Sequence, residues 1–293
     1  MAIYSIKDLE KLCGIKAHTI RIWEQRYGIV KPERTNTNIR YYQDNDLKLL
    51  LNIALLNRNG LRISKIAEMS EAEIAEKVAA IAEVDFAHST QLDALTISMI
   101  EMDEYKFDRI ISTNIQQLGF EQTMIQVIYP FLDKLGVLWL TGSINPVQEN
   151  FMSSLIRQKI ITAIDNEPFV HGKDAKKYIV YLPEGESQEL SLLFMHYLLK
   201  TRKNKVIYLG LNISVNDLVD ACQIHEPDYI FTMITETYSK SPVQKYVNEL
   251  SSTFPNAGVL LSGYQVVAQN VRSTSNVTVL KSLDESISFL DVK

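Results

Sequence analysis

The sequence predicts a multidomain chain: an N-terminal winged helix-turn-helix, a central bundle of four or five helices, and a C-terminal α/β doubly wound domain with a parallel sheet. Three observations predict it. Residues 15–42 divide apolar from hydrogen-bonding side chains on the two faces of a short helix and follow it with a hairpin-like run. From Ser70 the pattern changes to long amphipathic helices with short joints, and beyond a polar connector near Asp165 short apolar runs alternate with helices.

In the first region, Ile20, Trp23 and Tyr27 recur at helical spacing and form a stripe to be buried, while His18, Arg21 and Gln25 share another face. Ser5 caps a first short helix that turns at Gly14, and Gly28 ends the second as a left-handed cap. After Pro32, the run with Arg34, Asn38, Arg40 and Tyr41 reads as a β-hairpin wing able to lie along phosphates. Trp23 is expected at the centre of the small head's core.

Charge is segregated. The chain of 293 residues has a formal charge of −5, yet residues 1–62 carry eleven basic and six acidic side chains, +5 here and −10 for the rest. A basic head on an acidic body orients the molecule on a polyanion and keeps the body from binding it nonspecifically. No basic region followed by an apolar core opens the chain and no apolar run approaches a membrane span, so a cytoplasmic protein with no membrane partner is expected. Cys13 and Cys222, without CxxC spacing, support neither a disulfide framework nor a zinc site. GxSxG, P-loop, GxGxxG and HExxH motifs are all absent, and the chain is not expected to be an enzyme.

The central helices are read as follows. Ser70 with Glu73 forms a capping box, followed by helices over 88–102, around Phe107–Leu118, over 124–140 with Pro130 predicting a kink or break, and from Pro146 after an Asn145 cap. Beyond the connector, apolar runs at 178–182, 206–209, 229–233, 259–261 and 277–280 alternate with helices, so ligands are expected at the carboxyl ends of the strands, in loops 183–189, 210–214, 232–241 and 262–266. Domain boundaries are placed at 1–75, 76–168 and 175–293.

The run His-Thr-Ile-Arg-Ile-Trp-Glu-Gln-Arg-Tyr-Gly at 18–28, then Pro32-x-Arg34, Arg40-Tyr41-Tyr42, Asp46 and a helix ending at Gly60, resembles the DNA-binding domain of MerR-family transcriptional regulators over roughly residues 3 to 70. The resemblance implies contacts to double-stranded DNA from Lys16, His18, Thr19, Arg21, Gln25, Arg26, Arg34, Asn38, Arg40 and Tyr41. The order of the three parts resembles the adenosylcobalamin-binding, light-sensing repressors of that family, with a flavodoxin-like, cobalamin-binding-type C-terminal domain. That resemblance implies a Trp, nine residues and Glu-His in the bundle, an Asp/Glu-x-His ligand to cobalt, and a Gly-Gly pair beside the nucleotide tail. Here Trp139 and Glu149 keep their places, but Asn150 stands for the first His, Gln188 follows Glu186 in place of the second, and Gly263 is followed by Tyr264. A carboxamide is a weak donor to cobalt beside imidazole, and His196, eight residues on, lies about 12 Å away along a helix.

These readings lead to an expected regulator, a repressor, that binds DNA as a homo-oligomer, holds no metal and no cobalamin, and answers to an unknown small-molecule or protein effector. Two alternatives are a cobalamin-dependent light-sensing regulator with a non-canonical binding mode and a corrinoid-carrier or methyltransferase-type protein.

Overall fold

A computed structural model describes residues 4–34, 40–84, 88–140, 144–172, 175–235 and 242–292. Two compact units divide the chain, Met1–Leu155 and Ile156–Lys293, the division falling inside one long helix.

The first unit opens with α1 (Ile6–Cys13), whose N-terminus is closed by reciprocal bonds between Ser5 and Asp8. Then come α2 (Ala17–Tyr27) and a two-stranded antiparallel wing, β1 (Glu33–Arg34) and β2 (Arg40–Tyr41). Tyr4 and Tyr42 exchange backbone bonds of 2.9 and 3.0 Å, tying the chain start to the wing. Next follow α3 (Asp44–Arg58), α4 (Ile63–Ile66), α5 (Glu71–Val84), α6 (His88–Glu101), α7 (Glu104–Leu118) and α8 (Phe120–Thr123). Leu47, Leu50, Leu51, Ile53, Ala54, Leu55 and Leu56 of α3 are all buried, because α3 packs on α1 and also on α5 and α6. A helix apolar on nearly every side needs cover on every side.

A π-helical turn, Met124–Ile128, runs straight into α9 (Tyr129–Leu140). This is the answer to Pro130: the ring lacks an N–H and would press on the carbonyl four residues back, so the irregularity lies upstream and the helix continues. Ser70 and Glu73 cap α5 as expected, with Glu73 N–H on Ser70 Oγ at 3.3 Å and Ser70 N–H on Glu73 Oε2 at 2.8 Å. The long helix α10 (Pro146–Asn166) leads into the second unit.

There, β3 (Lys177–Pro183), α11 (Glu189–Thr201), β4 (Lys205–Ile213), α12 (Val215–His225), β5 (Tyr229–Met233), α13 (Val243–Thr253), β6 (Gly258–Ser262), α14 (Tyr264–Ala268), β7 (Val277–Val279) and α15 (Leu283–Val292) form an all-parallel sheet in the order β4-β3-β5-β6-β7. Five consecutive buried residues in the middle of β3 fit a strand covered on both faces. Ser214 with Asp217 and Ser282 with Glu285 cap α12 and α15. The order reverses between β3 and β5, opening a crevice at their carboxyl ends. The five-residue α14 is too short for periodicity to have marked it.

Candidate nucleic-acid interface and ligand site

Glu10 of α1 sets the start of α2. One carboxylate oxygen accepts from the Ala17 N–H at 3.1 Å, the other from Lys16 Nζ at 3.0 Å, and these bonds hold the Glu10 carboxyl below its ordinary pKa, the Lys16 bond first. The expected DNA residue Lys16 is thus an exposed side chain already paired inside the head. Gly28 ends α2 with φ 64° and ψ 21°, its N–H on the Glu24 carbonyl.

Between these ends, Ile20 and Trp23 are buried and Tyr27 is half-buried. His18, Arg21, Gln25 and Arg26 are exposed, and Thr19 is half-buried. The Arg26 guanidinium lies 5.7 Å from the Tyr27 ring centroid, which restrains its direction. Ile22, which periodicity reasoning passed over, is 49% exposed among these polar residues. The signal was available, since position 22 is one turn from both 18 and 26.

On the wing, Arg34 is exposed and Tyr41 is half-buried, its hydroxyl donating to Glu33. Arg40 turns inward, with Nε 3.7 Å from the Glu24 carboxylate, which also accepts from Tyr42. Burial, then Glu24, raises the Tyr42 pKa. Glu24 therefore joins α2 to the wing and fixes their relative angle. Asn38 lies outside the described residues.

A second polar cluster escaped the sequence reading. Asp93 of α6 is buried between two cations: Arg58 at the end of α3 and Lys134 of α9, the latter at 3.3 Å. Burial pulls the Lys134 ammonium pKa down, against the opposing effect of Asp93. A second Arg58 nitrogen donates to the Cys13 carbonyl at the end of α1. Gly14 is favoured here by its φ of 69°, and a Cβ would also press on Arg58 Nη2, 2.9 Å away, which would have to shift.

At the carboxyl edge of the sheet, Glu186 is buried, and both its oxygens lie 3.0 Å from the Thr235 N–H, bridging the loops after β3 and β5. Gly263, at φ 110°, touches the Ile234 backbone so closely that a Cβ would sit 2.3 Å from its carbonyl oxygen. The segments just after β3, β5 and β6 are thereby held to one another at Glu186, Ile234–Thr235 and Gly263, and the glycine serves that contact. Gln188 is exposed at the start of α11, and Tyr264 stands 68% exposed at the start of α14. Residues 236–241 of the expected site lie outside the described residues, as does the Trp139 side chain. Glu149 is half-buried and Asn150 exposed on α10. His196 stacks on Tyr208 at 5.4 Å, and burial lowers its pKa to about 4, so it is a neutral packing residue. Among the described residues no group of three or more His, Cys, Asp or Glu could hold a metal ion, and no helix is long and apolar enough to cross a membrane.

Residues 4–73 match the MerR HTH family regulatory protein model, and residues 91–163 match the B12 binding domain model. The chain is 24% identical over 259 residues to the HTH-type transcriptional repressor CarH of Myxococcus xanthus, covering 86% of this chain and 85% of that one. It is 25% identical to the HTH-type transcriptional repressor CarA of the same organism, covering 77% and 74%. The monomethylamine corrinoid protein of Methanosarcina barkeri shares the fold, with a TM-score of 0.54 at 12% identity, over 71% of this chain and all of that one.

The match over 91–163 overturns one expectation: that the body holds no cofactor. The matched segment contains Trp139, Glu149 and Asn150, so the replacement of His by Asn150 is compatible with a domain of this type. At position 188 the side chain is an exposed carboxamide, a weak donor to cobalt, so any corrinoid held here is held without an imidazole bond from that position.

Proposed function

We propose that this chain, whose head matches the MerR HTH model, is a transcriptional regulator of the MerR family, a repressor that lays α2 in the major groove of its operator with its affinity set by a corrinoid-class ligand on the body. One observation carries the DNA reading: His18, Arg21, Gln25 and Arg26 stand exposed on a helix whose opposite side, Ile20 and Trp23, is buried. Arg21 and His18 read base edges, while Arg34 and Tyr41 meet phosphates. Arg40 and Lys16, held by Glu24 and Glu10, steer through their positive field and keep α2 and the wing in register.

A bound corrinoid supplies a broad planar group whose presence can favour one arrangement of the body over another. Around it, Glu186 holds the loops after β3 and β5 together, Gln188 faces the ligand with a carboxamide, and Tyr264 offers a ring beside Gly263. The reading carries no catalytic activity, places the protein in the cytoplasm with its DNA, and makes it a homo-oligomer through the body or through adjacent heads on DNA.

Selection of bound duplexes from a random pool, at stated salt, tests the proposal. The full chain is expected to enrich one operator. Arg21→Ala should cost about 1 to 3 kcal/mol and relax one base position, whereas Arg34→Ala should weaken all sequences alike and flatten the salt slope by about one unit. Failure of the full chain to enrich any sequence would overturn it.

A further inference from the structure

Among the described residues up to 70, Ile22 is the one large hydrophobic side chain that stands exposed, at 49%. A single exposed apolar residue is ordinary on a protein surface, but its surroundings here are not. One helical turn before it is His18, and three and four residues after it are Gln25 and Arg26, all exposed, with Arg21 adjacent. The Arg26 guanidinium lies 5.7 Å from the Tyr27 ring centroid, and Ile22 stays 49% exposed beside it. Neither folding requirement accounts for isoleucine. The head's core is filled from the other side of α2 by Ile20 and Trp23, and at an exposed helical site a β-branched residue is a poorer helix former than Ala, Lys or Gln.

Resting on the reading of α2 as the groove-entering helix, we propose that Ile22 is a specificity-determining residue that packs against the 5-methyl group of an operator thymine. In the major groove, the thymine methyl is the one apolar feature a side chain can recognise, and its partners are apolar side-chain groups. Isoleucine offers no donor or acceptor, so next to His18 and Arg21, which can satisfy base edges, it discriminates thymine from cytosine by shape and desolvation alone. The helix capped at Gly28 and anchored by Trp23 presents it rigidly, so little ordering entropy is lost on contact.

The test uses the full chain and its selected operator, with each thymine replaced in turn by uracil, which removes the methyl and leaves the pairing edge intact. For the unaltered chain, one replacement is expected to weaken binding about fourfold, the value of one buried methyl group. With Ile22→Ala, binding to the unmodified operator should fall by at least that factor, and the same uracil replacement should no longer matter. Ile22→Val should retain part of the uracil effect. Circular dichroism of the Ala variant, expected to be unchanged because alanine favours the helix, separates lost contact from lost fold. An identical uracil profile for the unaltered chain and Ile22→Ala, or undiminished binding by Ile22→Ala, overturns the assignment. Absence of operator-selective binding by the unaltered chain overturns the DNA-reading function itself, and the contact with it.

Discussion

Trp23 shows how one side chain can serve two demands. It is buried on the inner side of α2, and the outer side belongs to Arg21 and Gln25, two residues before and after it, and to His18. An aromatic ring of this kind buries on the order of 150–250 Å², a large single contribution in a head of fewer than 80 residues. Trp23→Ala should therefore cost about 3 to 5 kcal/mol, read as a lowered urea midpoint of the full chain and loss of operator binding at temperatures the unaltered protein tolerates. A variant with an unchanged midpoint would mean that the ring does not hold the head together. Glu24 works at the same scale: one largely buried carboxylate receives Tyr42 and lies beside Arg40, so a residue adjacent to the core tryptophan decides where the wing arginine points.

At the scale of elements, α3 is the shared beam. Its apolar side chains are buried against α1 in front and against α5 and α6 behind, and its last residue, Arg58, reaches both the α1 carbonyl end and Asp93 of α6. Lys134 brings α9 to the same carboxylate. The helix-turn-helix and the bundle are thus joined by packing and by a partly buried charge cluster, Asp93 buried and Arg58 at its exposed edge, as well as by the chain. Asp93→Ala would leave two cations around an empty site, one of them, Lys134, in an environment that already disfavours its charge. The expected cost is about 3 to 5 kcal/mol, measured by urea denaturation. The paired change Asp93→Leu with Lys134→Met should recover much of it, because the desolvated charges leave together. Equal stability of Asp93→Ala and the unaltered chain would show the cluster to be incidental.

For the whole molecule, the basic first 62 residues and the acidic remainder make an electrical asymmetry that orients the protein on DNA. In the second unit, Glu186 accepts from the Thr235 N–H and Gly263 sits against the Ile234 backbone, contacts between the segments that follow β3, β5 and β6 at the proposed ligand edge. The full chain mixed with adenosylcobalamin and passed over a desalting column is expected to retain the corrinoid absorption in the protein fraction, and Gln188→His should tighten retention by adding an imidazole donor. A colourless protein fraction at micromolar concentrations would contradict corrinoid binding.

What the sequence determined by itself was whatever depends on near neighbours. The Ser5, Ser70, Ser214 and Ser282 caps, the Ile20 and Trp23 stripe, the left-handed end at Gly28 and the strand–helix rhythm after residue 177 all rest on spacings of two to four residues. The tertiary structure alone decided the rest. Arg58 meets Asp93 across 35 positions, Lys134 meets it across 41, and Glu186 meets the Thr235 N–H across 49. No periodicity encodes such partners, because they follow from which helices and loops pack together. The expectation of a lost cofactor failed for a related reason. It weighed single donors at positions 150 and 188 and one added ring at 264, whereas a macrocycle is held by contacts over its whole surface, so replacing one ligating atom removes one bond among many.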